Sequence, residues 1–591
     1  MNVLARSRWL TRAVFVLSIL AVACAPQAPA PKPAEKAAAT SAPAQPAAGS
    51  KPAETSKPAA GAKPGASGIA MGPALAGDET IARDRSGSGG TLTIAMSAGN
   101  IPYPNTPPNE GFEGRRFVGF QIYDGIFNYN LDQPDSVPVP GPGLAESHKV
   151  SDDKLTWTFK LRQNVKFHDG TALDVDAIIF NLDRMLKKEG FEFYDPDVSL
   201  LNRSNLLAVD SYKKVDETSF EVKTKYPYSI LPWDLAQITI ASPATIKKVG
   251  NKDYIKTPVG TGPFKVVKYV DGQVLELEPN ADYWGGKPKL DKLILRPMPD
   301  PATRLAALQS GEVQWAEVPP PDSVAQLRAG GFNVLLKQYP HTILFFLNLN
   351  DPPFDNVKVR QAMQYAIDRD KMCNDLLNGL CTPSYQYWYE GHQWFNTTEG
   401  KKYAYDPAKA KQLLAEAGYP NGLSINIAYP TGGSGNMWPQ PMMELLQSNF
   451  KAVGVEMKIT PLEWNNILTI QRASFNAPES RIYNGMFFSV ASLAPTSINN
   501  FLKSRIPPTG CCNPTAWVNE EYEKLVQQGV EEFDVKKQDE LFNKAMGINT
   551  DQSPVFFIVH DLNLRVLSPK VRGFIQPQSW FADLKNVWVQ K

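Results

Sequence analysis

The sequence predicts an exported α/β protein of two or three domains, on three observations. Segments of period-two apolar alternation are interleaved with segments of helical spacing along the chain. About five hundred residues, from Gly89 to Lys591, have the composition of a folded protein, enough to bury a large core and to divide into domains. The residues before Gly89 have a wholly different composition.

In the leader, Arg6, Arg8 and Arg12 precede the apolar run Ala13 to Ala23, broken only by Ser18 and ending at Cys24. Such a run is too short for a permanent transmembrane helix, so 1–23 reads as a signal peptide. Ala21, Val22 and Ala23 before Cys24 resemble a lipoprotein cleavage box, with Ala21 where Leu is usual, which makes Cys24 the expected site of lipid attachment. The alternative is an ordinary cleaved signal with a chance cysteine. Residues 24–88, nearly all Ala, Pro, Lys, Ser and Gly up to about position 75, lack the large apolar side chains that offset backbone ordering and read as a disordered, lipid-anchored tether. At ~3 Å per residue, fifty such residues reach on the order of 150 Å when extended.

The folded part opens with the alternating strand Thr91 to Met96 and a helix-like stretch around Arg116 to Tyr123. In Lys154 to Thr171, Trp157, Phe159 and Leu161 share one face of a strand, and Asp169-Gly170 signals a turn before a helix. The segment PFKVVKYVDGQVLELEP is a hairpin turning at Asp271-Gly272. A helix follows from Asp300-Pro301 to Gly311: aspartate caps the free amides, proline suits the first turn and glycine permits the left-handed exit. Helices are predicted over Asn356 to Met372, where Val359, Met363, Ala366 and Ile367 share a face, from Asp406-Pro407 to Gly418, and over Gln440 to Val453 before the strand VEMKI. Two strand-like segments, PVFFIVHD and NLRVLSP, lie near the C-terminus, and there is no internal repeat.

Charge and motifs narrow the chemistry. A net charge of +1 gives no case for nucleic acid or an anionic membrane surface as partner. The five histidines, His148, His168, His341, His392 and His560, have no metal-binding spacing, and neither His-Glu-x-x-His nor Gly-x-Ser-x-Gly occurs. GTGPFK (Gly260 to Lys265) lacks the phosphate-loop spacing and reads as an exposed turn, and His168 before Asp169-Gly170 reads as a solvated strand end rather than a general base. No catalytic residue, metal site or cofactor is expected. Besides Cys24, the four cysteines Cys373, Cys381, Cys511 and Cys512 allow three pairings. We favour Cys373 with Cys381, leaving Cys511 and Cys512 free or joined to each other.

Three segments, Pro142 to Arg184, Gly260 to Leu293 and Asp351 to Met372, together resemble the extracytoplasmic solute-binding proteins of family 5, for peptides, nickel and related solutes. The resemblance implies a class II periplasmic-binding-protein fold: two α/β lobes joined by a hinge, with an extra domain inserted in lobe one. By that likeness lobe I comprises 90–125, 226–344 and 558–591, the inserted domain 126–225, and lobe II 345–557. It further implies a monomer outside the cytoplasmic membrane that closes on a solute and docks on an ABC permease powered by ATPases on separate chains.

In peptide-binding relatives a tryptophan follows a glutamate in lobe II, and an aspartate four residues before a proline pairs with the peptide's amino group. Glu463-Trp464 matches the first feature, which makes Trp464 the expected aromatic wall. In Phe487 to Phe501 the aspartate position is Ala491, Pro495 follows, and Phe488 stands where Trp is common. The loop Pro430 to Trp438 lacks the arginine that holds a dipeptide's carboxylate. An enclosed end group without a partner is heavily penalised. The expected cargo is therefore a longer or end-capped peptide, or a largely uncharged solute, held by Trp464, Phe488, Ser489, Ala491 and Trp438, rather than a free zwitterionic dipeptide. Competing readings are a secreted glycan or peptide hydrolase and a surface sensor lipoprotein.

Overall fold

The computed structural model describes residues 82–591 apart from 109–110, 434, 492–494 and 508–509. The leader 1–23, Cys24 and most of the expected tether lie outside the described residues. The tether's last part, 82–88, is held to the folded body instead: Ala82 is buried, the Arg85 guanidinium pairs with Asp132 at 2.6 Å, and the Trp588 indole donates to the Asp84 carbonyl at 2.8 Å.

Three main sheets organise the rest. A seven-stranded sheet runs in the order Asn333–Leu335, Arg565–Leu567, Trp315–Glu317, Thr91–Met96, Lys292–Pro297, Val274–Pro279 and Phe264–Val270. Its first strand in the chain is parallel to both spatial neighbours, and Phe264–Val270 with Val274–Pro279 form the antiparallel hairpin expected from Asp271-Gly272. A six-stranded sheet runs Cys381–Pro383, Val555–Asp561, His341–Leu347, Gly485–Ala491, Leu423–Pro430 and Val455–Leu462. Strands His341–Leu347, Gly485–Ala491 and Val555–Asp561 are buried along their whole length, because helices cover both faces. Val357–Tyr365, Pro407–Glu416 and Pro439–Ala452 contribute to the apolar core on one face, and Trp464–Ala473, Glu520–Glu531 and Val535–Gln552 to that on the other.

The third sheet is antiparallel and four-stranded, built from Ala145–Val150, Thr156–Leu161, Ser219–Thr224 and Val209–Lys214. Trp157, Phe159 and Leu161 point into its core, as the alternation requires. The sheet lies in sequence between two strands of the seven-stranded one, as an inserted domain. The architecture is the two-lobed α/β fold that the resemblance implies. The chain passes from the seven-stranded to the six-stranded sheet between Leu335 and His341 and returns between Asp561 and Arg565.

Three local expectations are corrected. GTGPF is buried rather than exposed: Gly262 N–H donates to the Ile122 carbonyl at 2.9 Å, and the Gly262 carbonyl accepts from Asn280 at 3.1 Å. His168 is half-buried against that loop, its Nε2 lying 2.9 Å from the Gly262 carbonyl, and burial brings its pKa down to about 4. Asp169 accepts from Ser242 Oγ at 2.6 Å and Thr245 Oγ1 at 2.8 Å, so the His-Asp-Gly segment clasps the helix Pro243–Tyr254 to the strand before it. Finally, the helix expected over Asn356 to Met372 divides into Val357–Tyr365 and Arg369–Lys371, because Asp368 caps a new start by accepting from Lys371 N at 3.0 Å.

Candidate functional site

A cavity of about 240 Å³ lies beside the chain crossings, walled by residues from distant parts of the sequence. The helical segment that begins at Phe112 supplies Phe112 and Arg115, the segment after the four-stranded sheet supplies Gln237, and Trp580 comes from near the C-terminus. The six-stranded sheet and its helix supply His341, Trp464 and the run Phe488, Ser489, Val490 and Ala491. Away from the cavity, the segment leading to Gln237 touches helices of the six-stranded sheet: Ser229 N–H donates to the Val530 carbonyl at 2.8 Å, and Gln538 donates to Ser229 Oγ at 2.7 Å.

Trp464, Phe488, Ser489 and Ala491 thus share one wall. Glu463 caps the helix Trp464–Ala473 by accepting from Asn465 N at 2.7 Å, which sets the tryptophan at the helix start. Its ring lies 5.1 Å from that of Phe488 and is 5 % exposed, so Trp464 is both a packing residue and a lining residue, and its indole N–H has no acceptor among the described residues. Trp438 does not join this wall. It precedes the helix Pro439–Ala452, packs on the core of the six-stranded sheet, and borders a separate depression with Pro299 and Arg304.

The glycine-rich loop after Pro430 comes close to the same wall. At Gly433, φ is +99° and a Cβ would fall 2.7 Å from Trp464 Cγ; at Gly435, φ is +74° and a Cβ would fall 2.8 Å from His341 Nε2 and 3.0 Å from Ser489 Oγ. Side chains are excluded there both by backbone conformation and by space.

His341 sits where the chain crosses between sheets, with Nδ1 hydrogen-bonded to the Asp561 carboxylate. Its ring lies nearly parallel to those of Tyr339, 5.2 Å away, and Trp580, 5.3 Å away, and those two are 6.2 Å from each other. Trp580 is held in turn by the Arg116 guanidinium, 4.1 Å from its ring, and by Arg565, which donates to its carbonyl at 2.7 Å. Both arginines are fully buried with Glu317, which pairs with Arg116 at 2.6 Å. This buried ionic group backs one side of the cavity.

Two further cavity arginines escaped sequence reasoning. Arg115 donates to Gln237 and lies 5.8 Å from the Phe112 ring centroid, with no carboxylate in ion-pair range among the described residues; burial brings its pKa down to about 10. Arg505, 4 % exposed, donates to the Cys511 carbonyl at 3.3 Å and likewise has no ion-pair partner among the described residues. Cys511 and Cys512, also in the wall, are joined by a disulfide, and Cys373 is joined to Cys381 with a Cα separation of 5.2 Å. No local motif could have flagged these positions, because only the folded chain brings 115, 237, 341, 464 and 505 to one cavity. Among the described residues, no group of three or more His, Cys, Asp or Glu could hold a metal ion.

Comparison with known proteins fits this geometry. Residues 139–506 match the family described as bacterial extracellular solute-binding proteins, family 5 Middle. The chain belongs to this family. It is 30 % identical over 479 residues to heme-binding protein A of Haemophilus influenzae, covering 77 % of this chain and 84 % of that one. It is 27 % identical over 532 residues to the dipeptide-binding protein of Escherichia coli strain K12, covering 85 % and 96 %. The same fold is seen in an ABC transporter-associated periplasmic binding protein of Helicobacter pylori in complex with the peptide STSA, with a TM-score of 0.75 at 22 % identity, covering 85 % of this chain and 99 % of that one. Family 5 and these relatives are binding proteins. Among the described residues no helix is long and apolar enough to cross a membrane.

Proposed function

We propose that this chain is the capture component of a peptide-type ABC importer. It encloses a solute in the cavity beside the chain crossings and delivers it to a permease powered by ATPases on separate chains. The observation that carries this reading is the composition of the cavity wall. Arg115 and Gln237 come from the N-terminal half, Trp464 and Phe488 from the six-stranded sheet and its helix, and the two groups can separate by bending at 336–340 and 562–564. We set the lobe boundaries at those two crossings, a few residues outside 345 and 557.

The expected cargo lacks a free ammonium group. With alanine at 491 and no aspartate or glutamate among the described residues of the wall, nothing would receive one. Cys24 is the proposed lipid anchor and the protein acts as a monomer without enzymatic activity.

Native mass spectrometry of protein purified without denaturation tests capture, with a retained small molecule as the expected result. Radiolabelled palmitate incorporation that disappears in Cys24→Ser tests the anchor. Multiple turnover of any bound peptide or glycan by the purified protein would replace the capture reading with a hydrolytic one.

A further inference from the structure

The cavity is one-sided in charge, and this decides the class of solute. Arg115 and Arg505 line it, while no aspartate or glutamate does among the described residues. We propose that the solute carries an anionic group, a carboxylate or its equivalent, received by Arg115 and Arg505. The inference rests on the reading of this cavity as the capture site.

Three observations support it. First, a guanidinium removed from water without a counter-charge is costly, and such sites are completed by an anion. Arg115, half-buried at the cavity edge, donates to the neutral Gln237 and has no counter-charge in ion-pair range among the described residues. Second, among the described residues the Arg505 side chain has the neutral Cys511 carbonyl as its partner, and a buried acid that senses its field, Asp234, is outside ion-pair distance and engaged by Tyr228 at 2.7 Å. Asp234 lies outside the cavity wall, so it tempers the positive field without occupying the donors. Third, the indole N–H groups of Trp464 and Trp580, both in the wall, have no acceptor among the described residues. The surplus is of donors and of positive charge, the complement of a carboxylate attached to an apolar or aromatic body.

This revises the largely uncharged solute expected from the arginine-free loop at 430–438. The carboxylate anchor missing from that loop is supplied from other elements, whereas the ammonium anchor is not replaced. An acidic or N-capped solute therefore fits better than either a zwitterion or a neutral oligomer.

The test is calorimetry on protein stripped of endogenous solute, with two matched series: N-acetylated peptides with a free carboxylate against the same peptides as amides, and oligogalacturonates against the corresponding neutral oligosaccharides. The acidic member of at least one series should bind about tenfold or more tightly than its neutral partner, as one charge-assisted contact requires, and should weaken with added salt. Arg115→Gln and Arg505→Gln should each erode that preference, and Arg505→Lys should restore part of it. Neutral members bound as tightly as the acids would overturn the anionic solute and leave capture standing. Binding of no member in either series would count against the capture reading itself, and the anionic solute would fall with it.

Discussion

The Tyr339 hydroxyl meets both oxygens of the Asp561 carboxylate, at 3.2 and 3.1 Å, and so ties one chain crossing to the other. The same carboxylate accepts from His341 Nδ1 and from Asn563 N–H, so one buried acid organises both connections. Tyr339→Phe removes one donor from a buried charge, a loss worth about 1.5–3 kcal/mol. The expected result is a lowered guanidinium midpoint with an unchanged slope, together with an altered solute affinity, because the element affected is the hinge proposed above. An affinity unchanged to within twofold would separate this pair from hinge motion.

Trp464 combines packing with lining, and two substitutions divide the roles. Trp464→Ala removes the ring that packs against Phe488 and should cost about 3–5 kcal/mol of stability. Trp464→Phe keeps much of the apolar contact and removes the indole N–H. It should unfold within about 1.5 kcal/mol of the wild type while binding the retained solute several-fold less tightly. Equal binding by the phenylalanine variant would assign Trp464 to the core alone.

Much of the fold was legible because its elements carry local signatures. The caps at Asp300 and Asp406, the Asp271-Gly272 turn and the alternation through Trp157 and Phe159 are all found where short-range chemistry puts them. Burial across sequence distance was not legible. Gly260 to Phe264 looked like a surface turn because nothing in the five residues reveals that Ile122 lies against them, and His168 looked solvated for the same reason. In the candidate site, Trp464 and Phe488 follow a family pattern, whereas Trp438 ends the loop where dipeptide-binding relatives carry an arginine, and the fold places it in a separate depression. Arg115 and Arg505 carry no local signature: an arginine's lack of a counter-charge is a property of three-dimensional surroundings.

Burial holds three histidines neutral at physiological pH. Desolvation brings His392 down to about 3 and His168 and His560 to about 4, from an ordinary value of 6.5. Each binds a proton more readily when unfolded. The stability they contribute is therefore present above about pH 6.5 and is lost as pH falls through their folded values. For the well-buried His392 and His560 the loss is on the order of a few kcal/mol each. Denaturant midpoints should fall between pH 7 and pH 4. His392→Phe, which preserves an aromatic ring beside Trp388, should flatten part of that decline, and an equal decline in the variant would rule His392 out as a source.

Asp234 has the opposite sign and can be isolated by the same measurement. Burial raises its carboxyl to about 7, against the opposing pull of Arg505 and the hydrogen bond from Tyr228. The folded chain holds this proton more tightly than the unfolded one, so the stability it contributes is complete below about pH 4 and is lost as pH rises through 7. Asp234→Asn keeps an oxygen for the Tyr228 hydroxyl, and its amide replaces an oxygen that has no partner already. The variant should gain stability over the wild type at pH 8, by up to a few kcal/mol, and progressively less at pH 5. Arg505 would then lose the buried acid that tempers its charge, and an anionic solute should bind Asp234→Asn more tightly than the wild type at pH 8. Weaker binding by that variant would mean that Asp234 assists the solute rather than competing with it for Arg505.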